Sequence, residues 1–278
     1  MDALDFLEFD PDFSSPRVIA AYDELPLWSA MFGLLLLDEV PLTEVKVALD
    51  VGCGTGFPLI ELAERLGEGA HVHGLDLWSA AMSRAAEKIA SWGTPNVTLH
   101  EGSAASMPFA DETFDLIVSN LGVNNFDDRA GSILECRRVA KSGAVIALTS
   151  NLQGHMREFY AIFDEVLNRA GDGGARRRLQ EHVEHRATVA SLRDLLGNGG
   201  FLVTRIVERT GRMRFASGTA LLNHHFIKLG FLDAWKKVVP GRERETFLHL
   251  RRRLDEVAER TGEISLTIPM AYVEAIAV

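Results

Sequence analysis

Apolar residues in positions 17 to 40 recur at the three- and four-residue spacing of a helix, as Ile19 and Tyr22 illustrate. Pro26 lies within this run and predicts a bend or a break, because proline lacks a backbone donor and clashes with the preceding turn. We therefore predict that residues 1–44 form a helical cover before the first strand.

From position 45 the pattern changes to short, continuous apolar runs that alternate with helical stretches. Strands that are apolar on both sides are typical of a parallel sheet with helices on both faces. The predicted strands cover 45–51, 72–76, 97–100, 114–119 and 144–149, and the predicted helices cover 58–66, 79–92 and 128–139, with a turn at 141–143.

The second half of the chain is mostly helical and contains two further strands. Helices are predicted at 156–170, 175–185 and 189–196, with a loop at 171–174. Strands are predicted at 201–208 and 270–278, and the segment 219–262 between them reads as a helical insertion into an antiparallel pair. The prediction is a single α/β domain over residues 1–278, Rossmann-like, with a seven-stranded mixed sheet whose last strand is antiparallel, helices on both faces and a helical cap.

Composition limits the classes of partner. The chain has 278 residues, 47% of them hydrophobic, and a net charge of −10, which opposes the electrostatic attraction that dominates nucleic-acid binding. Two basic stretches, 175–178 and 251–253, have acidic residues close by and are interpreted as solvated helix faces. We therefore expect no nucleic-acid partner, and the sequence leaves the oligomeric state open.

The cysteines and the apolar runs bear on the compartment. Cys53 and Cys136 are the only cysteines, too few for a disulfide framework or a CxxC-type metal site, so we expect a cytoplasmic protein without a metal. The first residues lack the basic and apolar parts of a secretory signal. The longest apolar run, 28–37, is far shorter than the roughly 20 residues that span a bilayer, so no membrane span is expected.

The strongest chemical signal is the glycine-rich turn from Asp50 to Gly56, with glycines at 52, 54 and 56. A strand that runs into closely spaced glycines and then a helix brings bare backbone against a ligand at the positive end of the helix. By itself this signal is weak, because proteins that bind NAD, FAD or S-adenosylmethionine all use such turns. Here the spacing is GxGxG, and Asp50 adds a negative charge just before it.

Asp76 ends the second strand, 20 residues after Gly56. A carboxylate at this place can accept hydrogen bonds from both hydroxyls of a ribose. A strand-ending aspartate is also a common helix cap, here for the helix predicted to begin at Ser79. The spacing favours the ribose role.

The stretch 45–150 resembles class I S-adenosylmethionine-dependent methyltransferases of the group that includes the ubiquinone and menaquinone biosynthesis enzymes. Five blocks occur in the family's order and spacing: VALDVGCGTG at 47–56, GLDL at 74–77, EGSA at 101–104 with MPFAD at 107–111, FDLIVS at 114–119 and RVAKSG at 138–143. The resemblance implies a class I methyltransferase fold in which 45–150 is the cofactor-binding core. Because helices inserted between the last two strands would lie near the carboxyl ends of the strands, where ligands bind in this fold, we expect 219–262 to form part of a substrate cap.

The resemblance also implies roles for single residues. Asp50, Gly52 and Gly54 would line the methionine end of S-adenosylmethionine, and Asp76 would hold the ribose. Leu77 would pack near the adenine, Ser103 and Ala104 would lie at its edge, and Asn120 would approach the sulfonium and the substrate. Ser103 stands where the family commonly has aspartate. Asn124 and Asn125 stand where it often has a histidine pair, so no catalytic base is carried over to them.

Candidates for a catalytic base and for a substrate pocket come from outside these blocks. A base is required only if the methyl acceptor must lose a proton, and His224 and His225 are the main candidates, with His155 as a further one. Ordinary core or surface histidines are the competing interpretation. Tyr22, Trp28 and Phe32, together with Trp235, could close over an apolar substrate, although aromatic residues at helical spacing also form cores.

The sequence thus predicts methyl transfer from S-adenosylmethionine to a small organic molecule. One alternative is a protein that binds the cofactor without catalysis or for another transfer, because fold resemblance does not fix function. A less favoured alternative is an NAD-dependent oxidoreductase, which would require the GxGxxG spacing. The methyl acceptor is left open.

Overall fold

The computed structural model describes residues 4–24 and 27–278. The chain divides into two compact units, here named the sheet unit (Phe13–Ser150, Ala187–Arg209 and Met270–Val278) and the helical unit (Met1–Asp12, Asn151–Arg186 and Thr210–Pro269). Leu25 and Pro26, where the bend was predicted, and the first three residues lie outside the described part of the chain.

The described helices and strands follow the predicted order. The strands are β1 Val47–Val51, β2 His71–Asp76, β3 Val97–Glu101, β4 Phe114–Asn120, β5 Ala140–Asn151, β6 Phe201–Phe215 and β7 Ile264–Ala277. The helices of the sheet unit are α1 Pro16–Glu24, α2 Leu27–Glu39, α3 Leu59–Leu66, α4 Ser79–Trp92, α5 Arg129–Val139 and α8 Val189–Asn198. Those of the helical unit are α6 Arg157–Arg169, α7 Gly173–Glu184, α9 Gly218–Asn223, α10 His225–Ile227, a π-helical stretch Lys228–Leu232, α11 Asp233–Lys236 and α12 Glu243–Thr261.

The seven strands form one sheet in the order β3-β2-β1-β4-β5-β7-β6. The pairs β1–β2, β1–β4, β2–β3 and β4–β5 are parallel, and the sheet is mixed, with one antiparallel pair and helices on both sides. The predicted fold class is therefore confirmed. Strands β2 and β3 lie on one side of β1, and β4 and β5 lie on its other side, so the strand order reverses at β1. Ligands bind at the carboxyl ends of the strands at such a switch point.

Local sequence explains where the elements begin. The four residues of β1 after Val47 are all buried, as a central parallel strand requires. Asp128 caps α5 by accepting a hydrogen bond from the backbone of Gly131, and Thr188 caps α8 in a reciprocal pair with Ser191.

The predicted turn at 141–143 lies inside β5 instead. Phe114 pairs with Ala140 and Leu116 pairs with Val145, so four residues of β5 lie opposite a single residue of β4. The glycine at 143 has a left-handed φ of 76°. The glycine that predicted a turn therefore forms part of a bulge within one strand.

Three other predicted boundaries were wrong. Strand β6 continues to Phe215 and β7 starts at Ile264, so both are longer than predicted. The predicted loop at 171–174 is shorter, because Asp172 accepts a hydrogen bond from the backbone of Ala175 and thereby starts α7 at Gly173.

The helical unit has an aromatic core. Trp235 is fully buried and stacks on Phe159, with ring centroids 4.0 Å apart, and on Phe231. Helix α12 packs against α6 and α9. This unit takes in residues 151–186 as well as 210–269, and so extends beyond the predicted insertion at 219–262.

Within the described residues, no single helix is both long enough and apolar enough to cross a membrane, and the bent pair formed by α1 and α2 meets those criteria only jointly.

Candidate functional site

The turn after β1 is built on the neighbouring strand β2. The backbone N–H groups of Gly52 and Cys53 donate to the carbonyl of Leu75 at 2.8 and 3.2 Å. Gly54 has a φ of 50°, and a side-chain carbon placed there would meet no atom within 4 Å. The turn therefore presents bare backbone beside open space, as a ligand cradle requires.

Asp50, the next-to-last residue of β1, is fully buried, with no exposed surface. Neither carboxylate oxygen has a hydrogen-bond partner among the residues described. Burial, with a smaller contribution from the nearby charge of Asp76, raises the pKa of the carboxyl to about 8. A buried carboxyl without a partner is costly for the fold and is a common mark of a functional site.

Asp76 is held in place by two backbone groups. Its Oδ2 accepts from the N–H of Gly54 at 2.8 Å, and its Oδ1 accepts from the N–H of Trp78 at 2.8 Å. Trp78, the capping residue of α4, makes no side-chain cap. The carboxylate is therefore oriented by the glycine turn, and each oxygen keeps a lone pair for another donor.

Helix α1 lies next to this carboxylate. The ring of Tyr22 is 5.4 Å from the ring of Trp78, and burial, followed by the charges of Asp76 and Asp23, raises the pKa of the Tyr22 phenol. Asp23 anchors α1 to α4 through ion pairs with Arg84 at 2.9 Å and Lys88 at 2.6 Å. Tyr22, which was predicted for the substrate pocket, thus lies beside the predicted ribose carboxylate.

Helix α2 packs directly on the turn. A side-chain carbon at Gly33 would overlap the ring of Phe57, at 2.2 Å. Asn120, at the end of β4, donates from its amide to the carbonyl of Ser29 at 3.1 Å and accepts from the hydroxyl of Thr149 at 2.7 Å. Asn120 therefore joins α2 to the carboxyl ends of β4 and β5.

The other predicted residues of the sheet unit are more accessible. Leu77 is 64% exposed, directly after Asp76. Ser103 and Ala104 are half-buried, and the hydroxyl of Ser103 accepts from the backbone of Ala105 at 3.2 Å. Trp28 is half-buried, with its ring 5.1 Å from that of Phe32.

The structure places His224, His225 and Trp235 in the helical unit. Burial comes first among the causes that lower the pKa of both histidines, with smaller effects from Lys228 on each and from His225 on His224. Both rings are therefore neutral near pH 7 and able to accept a proton. His155 is buried and its pKa is also lowered. Since Trp235 has no exposed surface, its position favours a core role. The catalytic and pocket roles of these residues stay predictions.

Sequence reasoning missed Phe57 and Trp78. Both follow directly on a recognised motif, the glycine turn that ends at Gly56 in one case and the GLDL block at 74–77 in the other. An aromatic residue next to a ligand-binding turn is the signal that could have indicated them. Within the described residues, no group of three or more histidine, cysteine, aspartate or glutamate side chains is placed to hold a metal ion.

Known proteins resemble this chain in sequence and in structure. Residues 42–210 match the profile of a family described as "Methyltransferase domain". The demethylmenaquinone methyltransferase of Anoxybacillus flavithermus is 32% identical over 172 residues, which span 59% of this chain and 73% of that relative. A SAM-dependent methyltransferase from Aquifex aeolicus superposes with a TM-score of 0.54 at 24% identity, covering 69% of this chain and 92% of that one. The YcgJ protein of Bacillus subtilis superposes with a TM-score of 0.56 at 18% identity, covering 89% and 98%. At these identities the solved structures show a shared fold alone.

Proposed function

Because the chain belongs to the methyltransferase-domain family and is a methyltransferase, we propose that its sheet unit binds S-adenosylmethionine at the turn formed by Asp50, Gly54 and Asp76. This cofactor supplies a methyl group on a positively charged sulfur, from which the group passes to a nucleophilic atom of the acceptor. The chain's own residues would bind and orient the two molecules. Most of the catalytic effect in such a transfer arises from this positioning.

The observation that carries the proposal is the buried, unpaired carboxyl of Asp50. The methionine part of the cofactor has an ammonium group, which would give this carboxylate both a charge and hydrogen-bond donors. With a pKa of about 8, Asp50 is mostly protonated at neutral pH before the ligand binds. Binding of the ammonium would therefore displace one proton from the protein.

Asp76 is suited to the ribose. Its two oxygens are fixed by the backbone of Gly54 and Trp78, so the free lone pairs are already oriented before a ligand arrives. Leu77, which is exposed, offers an apolar surface for the adenine. Ser103 and Ala104 would meet the edge of the adenine, where serine supplies a hydrogen bond but no charge.

Asn120 would act by positioning. Both ends of its side-chain amide are occupied, by Ser29 and by Thr149. It would therefore hold α2 over the cofactor rather than contribute a proton. His224 and His225 are the base candidates for an acceptor that has to lose a proton.

For the acceptor we propose a small organic molecule, and for the compartment the cytoplasm. The A. flavithermus relative is named for demethylmenaquinone, but the family match ends at residue 210, and α9 to α12 lie beyond it. The shared part contains every residue proposed to bind the methyl donor, together with α6 and α7. The substrate in the relative's name is therefore not carried over to this chain.

The decisive experiment is calorimetric titration of S-adenosylhomocysteine into wild type and Asp76→Ala. We expect affinity to fall about 100-fold or more, because two hydrogen bonds to a charged group are lost. Asp233→Ala serves as a matched control, because its side chain is 78% exposed and lies in the helical unit. Circular dichroism verifies that both variants fold, and unchanged affinity in Asp76→Ala would remove this carboxylate from the site.

A further inference from the structure

Arg186 follows α7 in the helical unit and is half-buried. Its Nε is shielded from solvent and has no hydrogen-bond partner among the described residues. Among the ion pairs formed by residues 4–24 and 27–278, none joins Arg186 to a carboxylate. A guanidinium carries its charge at any ordinary pH, so a partly buried one without a counter-charge requires a separate explanation.

Three polar, uncharged side chains interact with Arg186: Tyr160, His155 and His182. The indole N–H of Trp235 donates to the hydroxyl of Tyr160 at 3.3 Å, and that hydroxyl lies 3.1 Å from Nε2 of His182. Because an indole can only donate, the phenol oxygen accepts from Trp235, and the direction of its hydrogen bond with His182 is set by the tautomer of that ring. Arg186 lies beside the same phenol and interacts with it.

His182 adds no second charge at neutral pH. Burial, followed by the charges of Arg186 and His185, lowers its pKa to about 4. Burial and Arg186 also lower the pKa of His155, whose ring centroid is 6.0 Å from that of Tyr160. Arg186 therefore supplies the net charge of a cluster whose other members are uncharged.

A groove next to this cluster provides space for a ligand. It lies along α6 and α7 and has a volume of about 530 Å³. Tyr160 is the residue that it shares with the cluster of Arg186 and His182, and the rest of its lining is Asp164, Gly173, Arg176, Arg177, Leu179, Gln180, Val183 and Glu184. Asp164, which also lines it, is paired with Arg176 at 2.7 Å. This volume is that of a typical small-molecule site. Its wall combines the apolar side chains of Leu179 and Val183 with the phenol and with charged groups of both signs.

We propose that Arg186, Tyr160 and His182 form a binding site for a small organic anion, in which the guanidinium pairs with a carboxylate or phenolate and the groove along α6 and α7 takes the apolar body. Such a ligand would supply the negative charge that none of the described residues places in an ion pair with Arg186. The binding site stands without the cofactor. That its ligand is the methyl acceptor rests on the proposed function.

The test uses the full chain without S-adenosylmethionine, titrated by calorimetry with phenylacetate and with phenylacetamide. The two probes have the same body, and only the first is charged. We expect saturable binding of phenylacetate and binding of the amide that is about tenfold or more weaker. Equal affinities, or no saturable heat with phenylacetate, would overturn the proposal.

Variants separate the guanidinium from its surroundings. Arg186→Gln should weaken phenylacetate binding about tenfold or more, whereas Arg169→Gln, on an exposed arginine of α6 paired with Glu165, should not change it. Tyr160→Phe gives a second, milder reduction and keeps the ring. Wild-type affinity in Arg186→Gln contradicts the assignment, and if that variant does not fold, the acid–amide comparison on wild type still decides.

The two proposals fail separately. Asp76→Ala should retain phenylacetate binding, and Arg186→Gln should retain S-adenosylhomocysteine binding. Absence of S-adenosylhomocysteine binding in wild type would count against the proposed function alone, and absence of phenylacetate binding against the anion site alone.

Discussion

The sheet unit and the helical unit each contain a shielded ionisable group that has no ion-pair partner among residues 4–24 and 27–278, and the two groups differ in the sign of their charge. Asp50 in the sheet unit is an acid, and Arg186 in the helical unit is a base whose Nε has no partner among the described residues. The carboxyl can avoid its charge by keeping a proton, as its raised pKa shows, but the guanidinium cannot. Under the two proposals the ligands would have opposite charge, and only the ligand at Asp50 would displace a proton from the protein.

The largest effect expected from this difference is on stability as pH changes. Asp50 keeps its proton in the folded state up to about pH 8, whereas an unfolded aspartate loses it near pH 4. Between these values the folded state holds more protons, so Asp50 makes stability fall as pH rises, by at most about 1.4 kcal/mol per pH unit. Thermal melting of wild type and Asp50→Asn should show their difference changing from pH 5 to 8.

That difference should level off above pH 8, since Asp50 is then charged in both states. Comparison with Asp50→Asn removes the contribution of other carboxyls, such as Asp23 and Asp115, whose pKa values are lowered and which act in the opposite direction. A difference that is constant across this range would show that Asp50 is already ionised in the folded protein.

The next effect concerns ligand binding. Asp50→Asn should weaken S-adenosylhomocysteine binding about 100-fold, because the ligand's ammonium loses its counter-charge. Near pH 6.5, calorimetry in buffers of different ionisation enthalpy should show about one proton released per ligand bound by wild type, and none by the variant. Phenylacetate binding should not change. Weaker binding of both ligands by this variant would contradict the assignment of one binding site to each unit.

The smallest effect is expected in the helical unit without ligand. Arg186→Met replaces an unpaired, partly buried cation by an apolar side chain of similar length, so stability should stay within about 1 kcal/mol of wild type or rise. The change should be nearly independent of pH from 5 to 9, unlike that of Asp50→Asn. A loss of several kcal/mol in chemical denaturation would mean that Arg186 has a structural partner.

Much of the sheet unit could be predicted from the sequence because its signals are local. Continuous apolar runs, the glycine turn and strand-ending aspartates recur at fixed spacing, and they predicted β1 to β4 within two residues. The turn predicted at 141–143 failed because its glycine serves a bulge, which depends on the register of β5 against β4. Strand ends such as Phe215 depend on pairing in the same way.

The site was predictable to a different degree in each unit. The roles proposed for Asp50 and Asp76 follow from their positions in the sequence. Only the structure shows that the Asp50 carboxyl has no hydrogen-bond partner among the described residues. The cluster of Arg186, Tyr160 and His182 was missed because tertiary packing brings its members together. Tyr160 lies on α6, far in sequence from His182 and Arg186, and Trp235 is more distant still. His185 and Arg186 lie three and four residues after His182, and this helical spacing is the one hint in the sequence that the three side chains lie on one face.

The helical unit is assembled from three separate stretches of chain, and β6 and β7 each begin or end in it and continue into the sheet unit. No single pair of cuts can therefore excise the unit, and a homologous unit cannot be exchanged as one contiguous cassette. If the acceptor binds in the helical unit as proposed, a new acceptor preference would arise by substitutions within the existing chain rather than by transfer of a module. A mutant library for directed evolution of acceptor preference would accordingly be restricted to the residues of α6 and α7 that line the groove.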